Sequence, residues 1–227
     1  MLGTTANMIS FIEILKSKNI NYKVILKANQ RDQIIPEMNK RIIDILKNNN
    51  SEYKILDLKK LKKKNFNSQK LFILNFGSHF EFSRDLIKKN VGRIFNFMPT
   101  PLPRYRGGAH ITWAMMKNEK YWGSCIQEID EKTKSGGFID NGRIAEKINY
   151  KLKSNFKSPI EFTKFTNKKD VKILNIFLKK VLIKRLKLKK IMKKKSIFFP
   201  RLNSKIDSII DWSWNKKNIV SFINSFS

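Results

Sequence analysis

Apolar residues recur along this chain with two spacings. A spacing of three and four predicts a helix over residues 7–18, with Ile9, Phe11, Ile12 and Leu15 on one face. The same spacing predicts a helix over residues 36–46, where Met38, Ile42, Ile45 and Leu46 align and Pro36 occupies the first turn. Shorter helices are expected over residues 80–89 and 110–116. A long one is expected over residues 171–192, its apolar face opposite a row of lysines. Compact apolar runs predict strands over residues 22–26, 53–58, 71–76, 93–96 and 121–129. Residues 138–148 have strand character, with Asn141-Gly142 as a hairpin turn or a bulge. Residues 59–64 read as a solvated charge run and residues 155–166 as a linker.

Strands that alternate with helices argue for an α/β fold: an open, mostly parallel sheet with helices on both faces. The run LFILNF, residues 71–76, is apolar throughout, as expected of a strand covered on both sides. In such sheets ligands bind at the carboxyl ends of the strands. Asn96 falls at such an end. It opens the loop FNFMPTPLPRYRGG, residues 95–108, which holds three of the six prolines, Arg104, Arg106 and the Gly107-Gly108 pair. This stretch is too rigid and too polar to serve only as a connection.

Composition changes the picture in three places. There is no apolar run of about eighteen residues, so no membrane-spanning helix is expected, and residues 1–10 lack the pattern of a signal peptide. Cys125 is the single cysteine; it has no internal disulfide partner, and a reducing, cytoplasmic setting follows. The net charge of +30, from 48 Lys and Arg against 18 Asp and Glu, suits nonspecific nucleic-acid binding. However, the excess is mostly lysine, spread over the chain and accompanied by Ile, Asn and Phe, so compositional drift explains it as well. Only residues 179–195 concentrate it into a patch.

The segment Asn96-Phe97-Met98-Pro99-Thr100-Pro101-Leu102-Pro103-Arg104-Tyr105-Arg106-Gly107 resembles the hallmark N-x-H-P-S-x-L-P-x-Y-R-G of the folate-dependent formyltransferases. That family includes methionyl-tRNA and amino-sugar formyltransferases. Gly123-Ser124-Cys125-Ile126, the loop from Ile129 to Gly136, Phe199-Pro200-Arg201-Leu202 and Ile210-Asp211-Trp212 resemble further family motifs in the same order. The resemblance implies a Rossmann-like sheet and transfer of a formyl group from 10-formyltetrahydrofolate to an amine, without a metal. The acceptor would be an amino-sugar nucleotide or methionyl-tRNA. It also implies that Asn96 donates to the oxyanion, that Arg106 contacts the acceptor, and that Phe76, Gly77 and Gly136 border the folate. Asp130 and Glu131, just ahead of Lys134, are the carboxylate candidates for acceptor binding, with an ordinary loop role as the alternative.

Two positions depart from the family pattern. Met98 stands where the motif has histidine, and Lys134 where it has the second aspartate. A thioether has no titratable proton and an ammonium only donates, so activity is expected to be impaired or lost. His110, at a helix start just after the loop, is the candidate substitute base; a surface role for it, and for His79, is the plainer reading. The alternatives are a non-catalytic folate- or substrate-binding homologue, and RNA binding through the basic helix.

The expected organisation is a catalytic-type domain over residues 1–166, a basic amphipathic helix over 167–195 and an incomplete C-terminal region over 196–227. In that region Asp211 is expected to cap a helix beginning near Trp212. The family's first strand, ahead of Gly3, is expected to be missing.

Overall fold

The computed structural model describes residues 1–62, 64, 66, 72–78, 80–131, 142–190 and 196–227. Its centre is an eight-stranded sheet. In chain order the strands are β1 (Leu2–Gly3), β2 (Val24–Lys27), β3 (Tyr53–Leu56), β4 (Ile73–Phe76), β5 (Ile94–Met98), β6 (Tyr121–Glu128), β7 (Arg143–Lys151) and β8 (Lys189–Lys190). In space they run β8-β7-β6-β5-β4-β1-β2-β3. The five strands from β3 to β5 pair in parallel; β5–β6, β6–β7 and β7–β8 pair antiparallel. The α/β sheet expected from the sequence is therefore present, mostly parallel over its first half.

Alternation along the strands separates two faces. On one, Leu26, Leu74, Phe76, Phe95 and Phe97 pack against α1 (Ala6–Ser17), α2 (Ile42–Asn48) and α5 (Pro159–Leu182). On the other, Leu2, Ile25, Ile73 and Ile94 pack with Leu86 and Ile87 of α3 (Arg84–Lys89). A third cluster joins Ala114 and Met115 of α4 (His110–Met116) to Tyr105, Trp122, Phe162 and Phe199.

The first strand is not missing. Leu2–Gly3 bridges β2 and β4 in two residues, with Leu2 opposite both Ile25 and Asn75. Gly3 has φ +119°, and a Cβ there would lie 2.2 Å from the Phe76 carbonyl oxygen. Only glycine allows β1 and β4 to approach this closely.

Other elements move. Ile34–Ile35 and Lys40–Arg41 form a small antiparallel hairpin with Asn39 at φ +50°. Pro36 lies in its turn, and the helix starts only at Ile42. Lys60–Leu61 pairs in parallel with Glu81–Phe82 and buries Leu61, so the expected solvated run is partly sheet.

The expected linker is the start of α5: Ser158 caps it, accepting from the Glu161 amide at 3.2 Å, with Pro159 in the first turn. Residue 166 therefore lies inside this helix. At the other end α5 stops at Leu182, ten residues before the expected boundary. Lys184 adopts φ +54°, and the Arg185 and Lys184 amides donate to the Lys180 and Val181 carbonyls, a Schellman closure built on lysine rather than glycine. Residues 189–190 are strand rather than basic helix.

In the C-terminal region, Asn215 caps α7 (Lys216–Phe226), following the short α6 (Ser204–Asp207). Asp211 instead accepts from the Ser213 amide and hydroxyl. Phe222 of α7 is buried and packs with Trp214 and Phe226. No helix among the described residues is long and apolar enough to cross a membrane.

A buried carboxylate ties α5 to the sheet. Asp170 accepts from Ser124 at 2.7 Å, Tyr150 at 3.3 Å and Asn7 at 3.3 Å. Burial raises its pKa to about 6, against the opposing pull of these three donors. The folded state thus holds a proton that the unfolded chain releases near pH 4. This interaction favours folding fully below that pH, and the advantage is lost as pH rises to about 6, a change of about 3 kcal/mol. Urea unfolding across this range should show that slope in the wild type and a flatter profile in Asp170→Asn.

Candidate active site

The strand order reverses at β1: β2 and β3 follow on one side, β4 and β5 lie on the other. The carboxyl ends of β1 and β4 therefore flank a topological switch point, the usual ligand crevice of an open α/β sheet. Gly77 closes β4 there with φ +78°, and a Cβ on it would meet nothing nearer than Thr5 Cγ2 at 4.0 Å. Its carbonyl accepts from Gln30 Nε2 at 3.3 Å. The backbone at the end of β4 is therefore open on this side. The Phe76 side chain is turned away into the core, against Phe11 and Phe97.

Beside the crevice a polar row crosses three strands. Asn75, Asn96 and Gln127 are register partners on β4, β5 and β6, and all three are buried. Asn75 Nδ2 donates to Asn96 Oδ1 at 3.1 Å, and Asn75 Oδ1 accepts from the Ser78 amide at 3.0 Å. This fixes which end of the Asn96 amide carries hydrogens. Its Nδ2 donates to Met98 Sδ at 2.8 Å. Asn96 and Met98 lie two residues apart on β5, hence on one face. Asn75 and Gln127 had no motif to flag them; only strand register brings them together.

Residues 99–105 fold back over the ends of β6 and β7. The Pro99 carbonyl accepts from Trp122 Nε1 at 3.2 Å and the Leu102 carbonyl from Lys147 Nζ at 2.5 Å; Leu102-Pro103 is cis. Cys125, the register partner of Met98 and Lys147, is fully buried. Burial pushes its thiol up to about 12, although Lys147 pulls the other way, so it stays protonated and unreactive at neutral pH. Arg104 and Tyr105 both donate to Glu119, at 3.0 and 2.8 Å, and burial raises the Tyr105 pKa. Arg106–Gly107 pairs in parallel with Phe198–Phe199, and Tyr105 stacks on Phe199 with ring centroids 4.4 Å apart. The Phe-Pro-Arg-Leu motif is thus the clamp that holds the proline-rich loop.

The remaining sequence-derived positions divide. His110 begins α4; burial lowers its pKa, against a hydrogen bond to the Gly107 backbone that raises it. Its buried Nε2 has no partner among the described residues. Glu131 is a surface residue, 3.9 Å from Lys88. His79, Lys134 and Gly136 lie outside the described residues. No metal-holding group of three or more His, Cys, Asp or Glu occurs among the described residues.

No protein-family model and no curated protein sequence matches the chain. Solved structures do. The sugar 3N-formyltransferase WlaRD, in the presence of dTDP and 5-N-formyl-THF, superposes with a TM-score of 0.71 at 17% identity, over 99% of this chain and 77% of that one. An N-formyltransferase from Helicobacter canadensis, in complex with folinic acid and dTDP-3-aminofucose, gives 0.72 at 16%, over 99% and 78%. The chain has the formyltransferase fold. HypX from Aquifex aeolicus in complex with tetrahydrofolic acid shares it over 88% of this chain but only 34% of its own, with a TM-score of 0.60 at 16% identity.

Proposed function

We propose that this chain binds a 10-formyltetrahydrofolate donor at the carboxyl ends of β1 and β4 and moves its formyl group to the primary amine of a small acceptor. An amino-sugar nucleotide is the favoured acceptor, because WlaRD is a sugar 3N-formyltransferase and the Helicobacter canadensis N-formyltransferase is in complex with dTDP-3-aminofucose. The amino group of methionyl-tRNA is the other acceptor that the loop motif implies. The carrying observation is the chain Asn75–Asn96–Met98 beside the switch point.

In this reading the amine nitrogen attacks the formyl carbon and the carbonyl electron pair moves to oxygen. Asn96 Nδ2 donates to that oxyanion. The Met98 sulfur to which it donates is a weak acceptor and is readily exchanged for an anionic oxygen. The carbon–nitrogen bond to the folate then breaks, and the proton lost by the amine reaches the folate nitrogen. Met98 cannot carry that proton, so transfer proceeds without the ~10²–10⁴-fold that a general acid–base contributes. His110, at the start of α4 with its pKa lowered by burial, is the candidate substitute base in this reading. The thioether at position 98 favours a second reading, a folate-binding homologue without turnover.

Calorimetry with 5-formyltetrahydrofolate tests the donor site first. Saturable binding is expected, and it should be lost in Gly77→Val, which fills the open edge at a positive φ, while circular dichroism stays native. Absence of binding to the wild type would remove the donor from the proposal.

A further inference from the structure

The segment after α5 is neither helix nor tail. From Arg185 to Lys189 the side chains alternate: Leu186 and Leu188 pack against the main core, while Arg185, Lys187 and Lys189 line a cavity of about 490 Å³. Three cations of this short segment therefore share one cavity lining. Lys180 of α5, Ile183 just after it, and Ile144 to Lys147 of β7 complete the lining. Glu146 is the one carboxylate of the lining among the described residues, and Lys180 pairs with it. No carboxylate is paired with Arg185, Lys187 or Lys189 among the described residues.

Like charges held this close repel one another, and a cleft of one sign concentrates the field. An anion with several charged oxygens relieves that repulsion and accepts hydrogen bonds from guanidinium and ammonium together. The volume falls within the small-ligand range, about 300–1,000 Å³. Among the described residues no aromatic ring lines the cavity, so none of them would stack on a base, as single-stranded nucleic-acid sites do. We infer that this cavity is a binding site for an oligophosphate group, distinct from the Asn96 site and recognising linked phosphates rather than whatever they are attached to. Free oligophosphate and the triphosphate of a nucleotide share this chemistry.

The test is titration with inorganic tripolyphosphate and, in a parallel arm, with ATP. Three proteins are compared: wild type, Arg185→Ala/Lys187→Ala, and a control, Lys88→Ala/Lys89→Ala, that removes the same charge from α3. Saturable binding of tripolyphosphate is expected, weakened about tenfold or more by the first pair, whose lost contacts are charge-assisted, and changed less than about twofold by the control. Similar affinities for the two ligands would identify the phosphates as the whole determinant. Much tighter binding of ATP would overturn the phosphate-only assignment. Equal weakening in both variants would mean that net charge alone is responsible. The site would also be overturned by absent saturation, or by a 20-nucleotide RNA that tripolyphosphate cannot displace. The substituted side chains are exposed, and unchanged thermal unfolding confirms that each variant is folded.

Discussion

Asn96→Ala should lower formyl transfer by about 10²–10³-fold, the typical effect of removing one oxyanion donor, and Met98→His should raise it by about 10²-fold or more. The opposite signs follow from one arrangement. Asn75 holds Asn96 Oδ1, which leaves Nδ2 to donate, and Met98 on the same face of β5 is within its reach. Alanine removes the donor and leaves Asn75 without its acceptor. Histidine at 98 sits on the same strand face, partly buried, and there it can accept from Asn96 Nδ2 and take a proton near neutral pH, as a thioether cannot. Lys134→Asp, added to Met98→His, restores the carboxylate that the motif pairs with that histidine and should increase the rate further. Affinity for 5-formyltetrahydrofolate should change far less than the rate in each case, because neither residue is assigned to the folate rings. Single-turnover assays with saturating donor separate the two quantities.

Gly107→Ala should destabilise the protein by about 3 kcal/mol or more, through backbone strain and an unavoidable clash. The residue has φ +102°, and a Cβ would sit 1.8 Å from the Phe199 carbonyl oxygen. That oxygen accepts from the Gly108 amide at 2.9 Å, and the Ile197 carbonyl accepts from the Arg106 amide at 3.0 Å. The neighbouring strand must therefore move away, which also separates the Tyr105–Phe199 stack and the bond from Trp113 Nε1 to the Pro200 carbonyl at 2.9 Å. Urea unfolding followed by tryptophan fluorescence reports both effects. A variant within about 0.5 kcal/mol of wild type, with unchanged emission, would show that the clamp does not hold the loop.

Much of the fold was legible because apolar periodicity dominates it. The helix at residues 110–116, the strand β6 and the covered run ending at Phe76 fall where the pattern put them. Two misses share a cause: backbone turns at positive φ that the apolar pattern does not reveal. Asn39 and Lys184 adopt positive φ, turning a predicted helix start into a hairpin and ending α5 early. The two-residue β1 was unreadable as a strand because its pairing with β2 and β4, not its length, defines it. At the site, the loop motif located Asn96 and Met98. Their partners Asn75 and Gln127 lie 21 and 31 residues away in sequence, and register alone aligns them. The role of Phe199 in gripping the loop was likewise invisible until the parallel pair with Arg106–Gly107 was seen.

The central claim, that Asn96 and position 98 form the reacting centre, is tested most directly by one single-turnover experiment. Formyl transfer from 10-formyltetrahydrofolate to a dTDP-amino sugar is measured side by side for wild type, Asn96→Ala and Met98→His. The account predicts the rate order Met98→His above wild type above Asn96→Ala. Equal rates in all three proteins, or transfer by Asn96→Ala at the wild-type rate, would contradict it.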